Sequence, residues 1–200
     1  MALNFANNNS LSAITTKPSG LSGGALNLIS TQTASSSSTI SFTSGIDSTY
    51  DSYVFKFYDI HLVTDGAEFQ FQADTGTNTS YNQTITSTYF LAEHNEGDSS
   101  ASLSYQTNRD LAQSTSFQDF GVDVGTDNDQ CSAGFLNIFN PSSSTFVKHF
   151  TGTLQQAHQN DLSLVGYVAG YFNTATPLTR FQFKASSGNF DGVIKLYGIS

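Results

Sequence analysis

Eight of the sixteen acidic residues in this chain fall between positions 92 and 130: Glu93, Glu96, Asp98, Asp110, Asp119, Asp123, Asp127 and Asp129. Arg109 is the sole Lys or Arg in that stretch. Hard cations such as calcium take several carboxylate oxygens, so Asp123, Asp127 and Asp129 in DVGTDND are candidate ligands. The spacing departs from the EF-hand pattern, and a solvated surface loop is the plainer reading. Glu93 and Glu96, in EHNE, could form the acid and base pair of a glycosidase if they faced each other across a cleft. His94 with Glu96 or Asp98 could hold a metal, but no second His stands at ligand spacing. A polar loop after a strand accounts for the same residues. Cys131 is the single cysteine, so an internal disulfide or a Cys-based zinc site is excluded, and no His partner for a nucleophile is evident. His61 and His149 lie inside apolar runs and read as strand residues with local hydrogen bonds. There is no nucleophile elbow, Walker loop, zincin helix or dinucleotide fingerprint. No catalytic residue, metal or cofactor is expected. Tyr50, Tyr81 and Tyr105 fall in or beside expected loops. There an aromatic ring can stack on a sugar face while Asn, Gln and Asp supply hydrogen bonds.

The elements that must position these side chains are strands. Of the 200 residues, 12% are charged and 13% aromatic, with 17 Phe and no Trp. Ser, Thr, Asn and Gly dominate the remainder, which suits turns and sheet surfaces over helices. Thr39–Thr43, Tyr53–Leu62, Glu68–Gln72, Thr84–Leu91, Gly134–Phe139, Phe146–Leu154, Leu162–Phe172, Arg180–Lys184 and Gly192–Ile199 read as strands. Leu103–Gln106 and Phe117–Phe120 are weaker strands inside the acidic insertion. In EFQFQ, Phe69 and Phe71 should point inward, with Glu68, Gln70 and Gln72 outward. Asp65-Gly66 predicts a hairpin joining the two strands around it. Gly166 and Gly170 suit bulges or close packing. No segment has a helical period, and no βαβ alternation occurs. The expected fold is therefore all-β: a jelly-roll-like antiparallel β-sandwich over residues 38–200, with a polar acidic insertion around 92–130.

Residues 1–37 differ from the rest. They carry one charged side chain, Lys17, and scattered apolar residues without a period, ending in the linker-like TQTASSSS. An extended N-terminal arm is expected, docking on its own domain or, preferably, on a neighbouring subunit. The first residues show neither a basic region nor an apolar core, so synthesis in a cytoplasm is expected. A net charge of −9 argues against binding a phosphate backbone, and no apolar run reaches the length of a membrane span.

Ile40–Gln72 and Ala185–Ile199 (ASSGNFDGVIKLYGI) resemble segments of virion structural proteins of marine tailed bacteriophages, including those of cyanobacteria. The resemblance covers most of 39–200 and assigns no residue a role. It implies a non-enzymatic virion component whose partners are other virion proteins. The expected place is the tail or tail-fibre apparatus, as a homo-oligomer, with a trimer favoured, and with host-surface glycan as a possible contact. Capsid decoration or a head fibre is the alternative, and a glycan depolymerase a further one.

Overall fold

The alternation of Phe with polar residues does become strands. In the computed structural model, residues 25–199 are described, and no helix occurs among them. The expected arm is therefore outside the described residues up to position 24. The twelve strands are β1 (Leu26–Ser37), β2 (Thr39–Phe42), β3 (Ser52–Leu62), β4 (Ala67–Thr75), β5 (Ile85–Asn95) and β6 (Ala101–Tyr105). They continue as β7 (Gln118–Val124), β8 (Ser132–Phe139), β9 (Lys148–His158), β10 (Leu162–Phe172), β11 (Leu178–Ala185) and β12 (Phe190–Ile199).

All pairings are antiparallel. Eight strands run as neighbours in the order β1-β12-β3-β8-β9-β10-β5-β6, and four in the order β7-β4-β11-β2. A single bridge, Val124 to His158, ties β7 to β9, and the chain passes directly from β1 into β2. The result is one curled antiparallel sheet that nearly closes into a barrel-like shape.

Phenyl rings fill the interior. Phe55 and Phe57 of β3 meet Phe183 of β11 at 5.0 and 5.1 Å between centroids. Phe57 also meets Phe69 of β4 and Phe120 of β7, while Phe71 of β4 reaches Phe150 of β9 at 5.3 Å. Most of these contacts are edge-to-face, the geometry favoured by the ring quadrupole, and such a pair adds about 0.5–1.5 kcal/mol beyond its buried area.

Three expectations need correction. Residues 26–37, read as arm and linker, form β1, paired along β12 from Leu26–Ile199 to Ser37–Phe190. Ser and Thr have little intrinsic demand for a strand, but at an exposed sheet edge the partner supplies the ladder and only Ala34 is buried. The Asp65-Gly66 turn does not make a hairpin. β3 pairs with β12 and β8, whereas β4 pairs with β11 and β7, so the turn carries the chain from one run of strands to the other. Gly66 still adopts the left-handed conformation (φ +70°) that its type permits. Finally, Gln72 does not face solvent. Its amide donates to the carbonyls of Gln83, Thr115 and Ser116, because the 106–117 loop lies over that side of β4.

Arg109 anchors this loop. Its guanidinium donates to Glu68 at 2.7 Å, Asp119 at 3.3 Å and Asp123 at 3.1 Å. Burial pushes the Asp119 carboxyl above the usual carboxylate range, opposed by its bonds from Gln70 and Arg109. The expected insertion is thus two strands, β6 and β7, and a loop clamped by charge.

Candidate functional site

A strand residue and its second neighbour share a face, so antiparallel register decides which side chains meet across a sheet. Four exposed rings fall into one register row on the outer face of the eight-strand run. Tyr105 of β6 stands opposite Phe90 of β5, and Phe90 opposite Tyr167 of β10. Tyr167 stands opposite Thr153 of β9, and Thr153 opposite Phe135 of β8. With strands about 4.8 Å apart, the row from Tyr105 to Phe135 spans roughly 19 Å. Phe90 and Tyr167 are stacked, with centroids 4.8 Å apart and planes 14° from parallel. The four rings are 37–52% exposed, whereas the Phe side chains on the inner face of these strands are at most 1% exposed.

The row forms a ridge between two shallow depressions. One, of about 350 Å³, is lined by Thr86, Thr88, His149, Thr151, Ala169 and Tyr171 with parts of the underlying strands. The other, of about 270 Å³, is lined by Ala92, Glu93, His94, Gln155, Ser163 and Val165. Small residues at Ala169 and Ala92 open these hollows, threonine, serine and glutamine line them with uncharged donors and acceptors, and Glu93 adds a carboxylate to the second. Ring faces beside hydroxyls and amides suit the C–H faces and hydroxyl rims of sugars.

The three tyrosines singled out from sequence have separate fates. Tyr105 is the outer end of the row, and its hydroxyl donates to Asp110 at 2.6 Å. That bond holds the phenol above the usual tyrosine range. Tyr81 is 5% exposed and its backbone N–H donates to Asp74, so it has no ring face to offer a ligand. Tyr50 is half-buried, packed edge-on against Tyr53 at 5.7 Å. Nothing in the sequence alone marks Phe90, Tyr167 and Phe135. The period of β5 placed Phe90 opposite in sense to Tyr89, but only register reveals the row.

The acidic candidates divide between an ion-pair cluster and one polar cavity. Asp123 is engaged by Arg109, while Asp127 and Asp129 border a polar cavity of about 270 Å³ with Glu96, His158 and Asp161. Among the described residues no group of three or more His, Cys, Asp or Glu is placed to hold a metal ion. Glu93 accepts from Ser102 beside the second depression, whereas Glu96 borders the polar cavity, so the two carboxylates open onto different hollows. His94 contacts Asp98 at 3.2 Å on the exposed hairpin turn. His61 lies 2.7 Å from the carbonyl of Gln130, to which its Nδ1 donates, and His149 packs edge-on against Tyr171. Burial and the nearby Asp59 push the Cys131 thiol above its usual range.

No protein-family model matches the chain, and no curated protein matches it.

Proposed function

We propose that this chain is a non-enzymatic virion structural protein of a tailed phage, part of the tail or tail-fibre apparatus, whose outer sheet face contacts host-surface glycan. The observation that carries the binding half is the register row Tyr105–Phe90–Tyr167–Phe135, four exposed rings on one face. The virion half rests on the resemblance of Ile40–Gln72 and Ala185–Ile199 to phage structural proteins. We read the finer architecture as a jelly roll. The neighbour orders β1-β12-β3-β8 and β2-β11-β4-β7 support it, with β5-β6 and β9-β10 as hairpin insertions that extend the first run. Jelly rolls serve both capsids and lectins. The expected docking arm, residues 1–37, lies outside the described residues up to position 24, and a symmetric homo-oligomer, a trimer in our reading, multiplies weak sugar contacts.

Capsid decoration is the second reading, favoured by Leu26 and Leu28. They are exposed at the start of the edge strand β1, where an apolar neighbour could cover them. Two measurements decide. Purified phage particles should contain the chain, located on the tail in a particle map; location on the capsid selects decoration, and absence from particles ends the virion reading. The full-length protein should bind host-surface polysaccharide, and Tyr167→Ala with Phe90→Ala should abolish that binding. Undiminished binding by the double variant would remove the row as the contact.

A further inference from the structure

The aromatic row does not end at Phe135. In the same register, Phe135 stands opposite Lys56 of β3, Lys56 opposite Lys195 of β12, and Lys195 opposite Thr31 of β1. The outer face thus carries, in one line across eight strands, three rings, a threonine, a fourth ring and then two lysines. Like charges directly opposite in an antiparallel pair destabilise a sheet. Here two of only seven Lys and Arg residues in a chain of net charge −9 are placed that way.

Nothing within the described protein neutralises them. Among the described residues neither Lys56 nor Lys195 forms an ion pair. Instead their ammonium groups lie over tyrosine rings of the same two strands, Lys56 over Tyr197 at 5.8 Å and Lys195 over Tyr58 at 5.2 Å. Arg109 shows the contrast, since it is enclosed by three carboxylates. Lys148 is another, buried with its ammonium donating to the carbonyls of Phe146 and Thr174. The β3–β12 pair is held by aromatic rings, keeps its charge at the surface, and continues a row of stacking platforms.

We infer that the ligand of the outer face is an anionic polysaccharide, carrying carboxylate or sulfate groups, whose sugar rings lie on Tyr105, Phe90, Tyr167 and Phe135 and whose acid groups meet Lys56 and Lys195. The inference rests on the glycan reading above and adds the charge of the glycan and its orientation along the row. Two ammonium groups beside ring faces are complementary to an acidic sugar, whereas a neutral glycan would leave the repelling pair without a counter-charge. Outside these two lysines the chain carries 16 acidic against five basic residues, and Asp110 at the Tyr105 hydroxyl and Glu93 beside the second depression direct the acid groups of the glycan toward the lysine end of the line.

The test uses the full-length protein and immobilised polysaccharides: alginate as the carboxylated probe, a sulfated galactan as the sulfated one, and dextran as the neutral control. Duplex DNA serves as a non-saccharide polyanion. Binding to at least one acidic polysaccharide, weakening steeply with added salt, is expected. Lys56→Gln with Lys195→Gln should lower that affinity about tenfold or more, the scale of losing charge-assisted bonds. The corresponding double Arg variant should retain it, and unchanged circular dichroism would show that both variants fold. Equal binding of dextran, unaffected by the Gln pair, would overturn the anionic assignment while leaving the glycan reading intact. Binding of DNA as tight as that of the acidic polysaccharide would also overturn it, since the lysines would then read charge without sugar. Failure to bind any polysaccharide would end the glycan reading and this inference together.

Discussion

Along β10, Leu164, Val168 and Phe172 point into the interior, while Val165, Tyr167, Ala169 and Tyr171 face out. The same strands thus present two aromatic surfaces. Inside, each ring is enclosed by others at centroid distances near 5–6 Å, and its apolar area has left water entirely. Outside, Phe90 and Tyr167 stack on each other but keep more than a third of their surface exposed. Burial separates the two surfaces, since ring chemistry is common to both: a buried ring has spent its surface on folding, and an exposed one retains it for a partner. In the function proposed above, this exposed row on an antiparallel sheet face is the part that meets a ligand.

That contrast is open to direct attack, first from its interior side. Phe57 meets Phe69, Phe120 and Phe183, so Phe57→Ala removes rings from three contacts at once and opens a cavity. A loss of about 3–5 kcal/mol is expected in denaturant unfolding. A loss below about 1 kcal/mol would mean that the interior is loosely packed and that inner and outer rings are not so different.

Lys148 probes the one lysine on the inner side among the described residues. Burial holds its amine below the usual lysine range, so the folded protein prefers the neutral form more than the unfolded chain does. The cost of burying the charge is therefore full below the lowered folded value. It fades as pH rises from there through the unfolded value of about 10.5. Lys148→Met should unfold within about 1 kcal/mol of wild type at neutral pH, because lost bonds to Phe146 and Thr174 are offset by the removed charge. Wild type should then gain on the variant as pH climbs toward about 10.5. If the two stability curves run parallel across that range, burial does not control this amine.

The smallest effect is expected outside. Phe90→Ser should change stability by no more than about 1 kcal/mol, the scale of a cross-strand pair, while glycan binding falls. A large loss of stability with binding intact would make the outer row a second core in place of a binding face.

Much of the strand content was legible in sequence. TISFT and YVFKFYDIHL became β2 and β3 to within a residue at each end, and RFQFK the centre of the longer β11, because period-2 alternation and Phe enrichment report directly on a half-buried strand. Gly166 suits close packing or a bulge by residue type, and the structure shows close packing. The ladders of β10 run without a shift, and the Tyr89 hydroxyl fills the space a Cβ would need there. β1 was illegible because Ser-rich segments gain their strand only from β12. The Asp65-Gly66 turn misled because turn chemistry fixes a reversal of the chain and leaves open which strands then pair. Of the three tyrosines, one of them, Tyr105, proved to belong to the exposed row.

The sequence by itself determined an all-β chain, the positions of its Phe-alternating strands and their inward Phe faces, since these depend on local period and residue type. Tertiary structure alone decided which strands became neighbours. Tyr105, Phe90, Tyr167, Phe135, Lys56 and Lys195 are scattered from position 56 to 195, and register places them in one line. Register is set by hydrogen bonding between distant strands over a shared core, and no local pattern in the sequence encodes it.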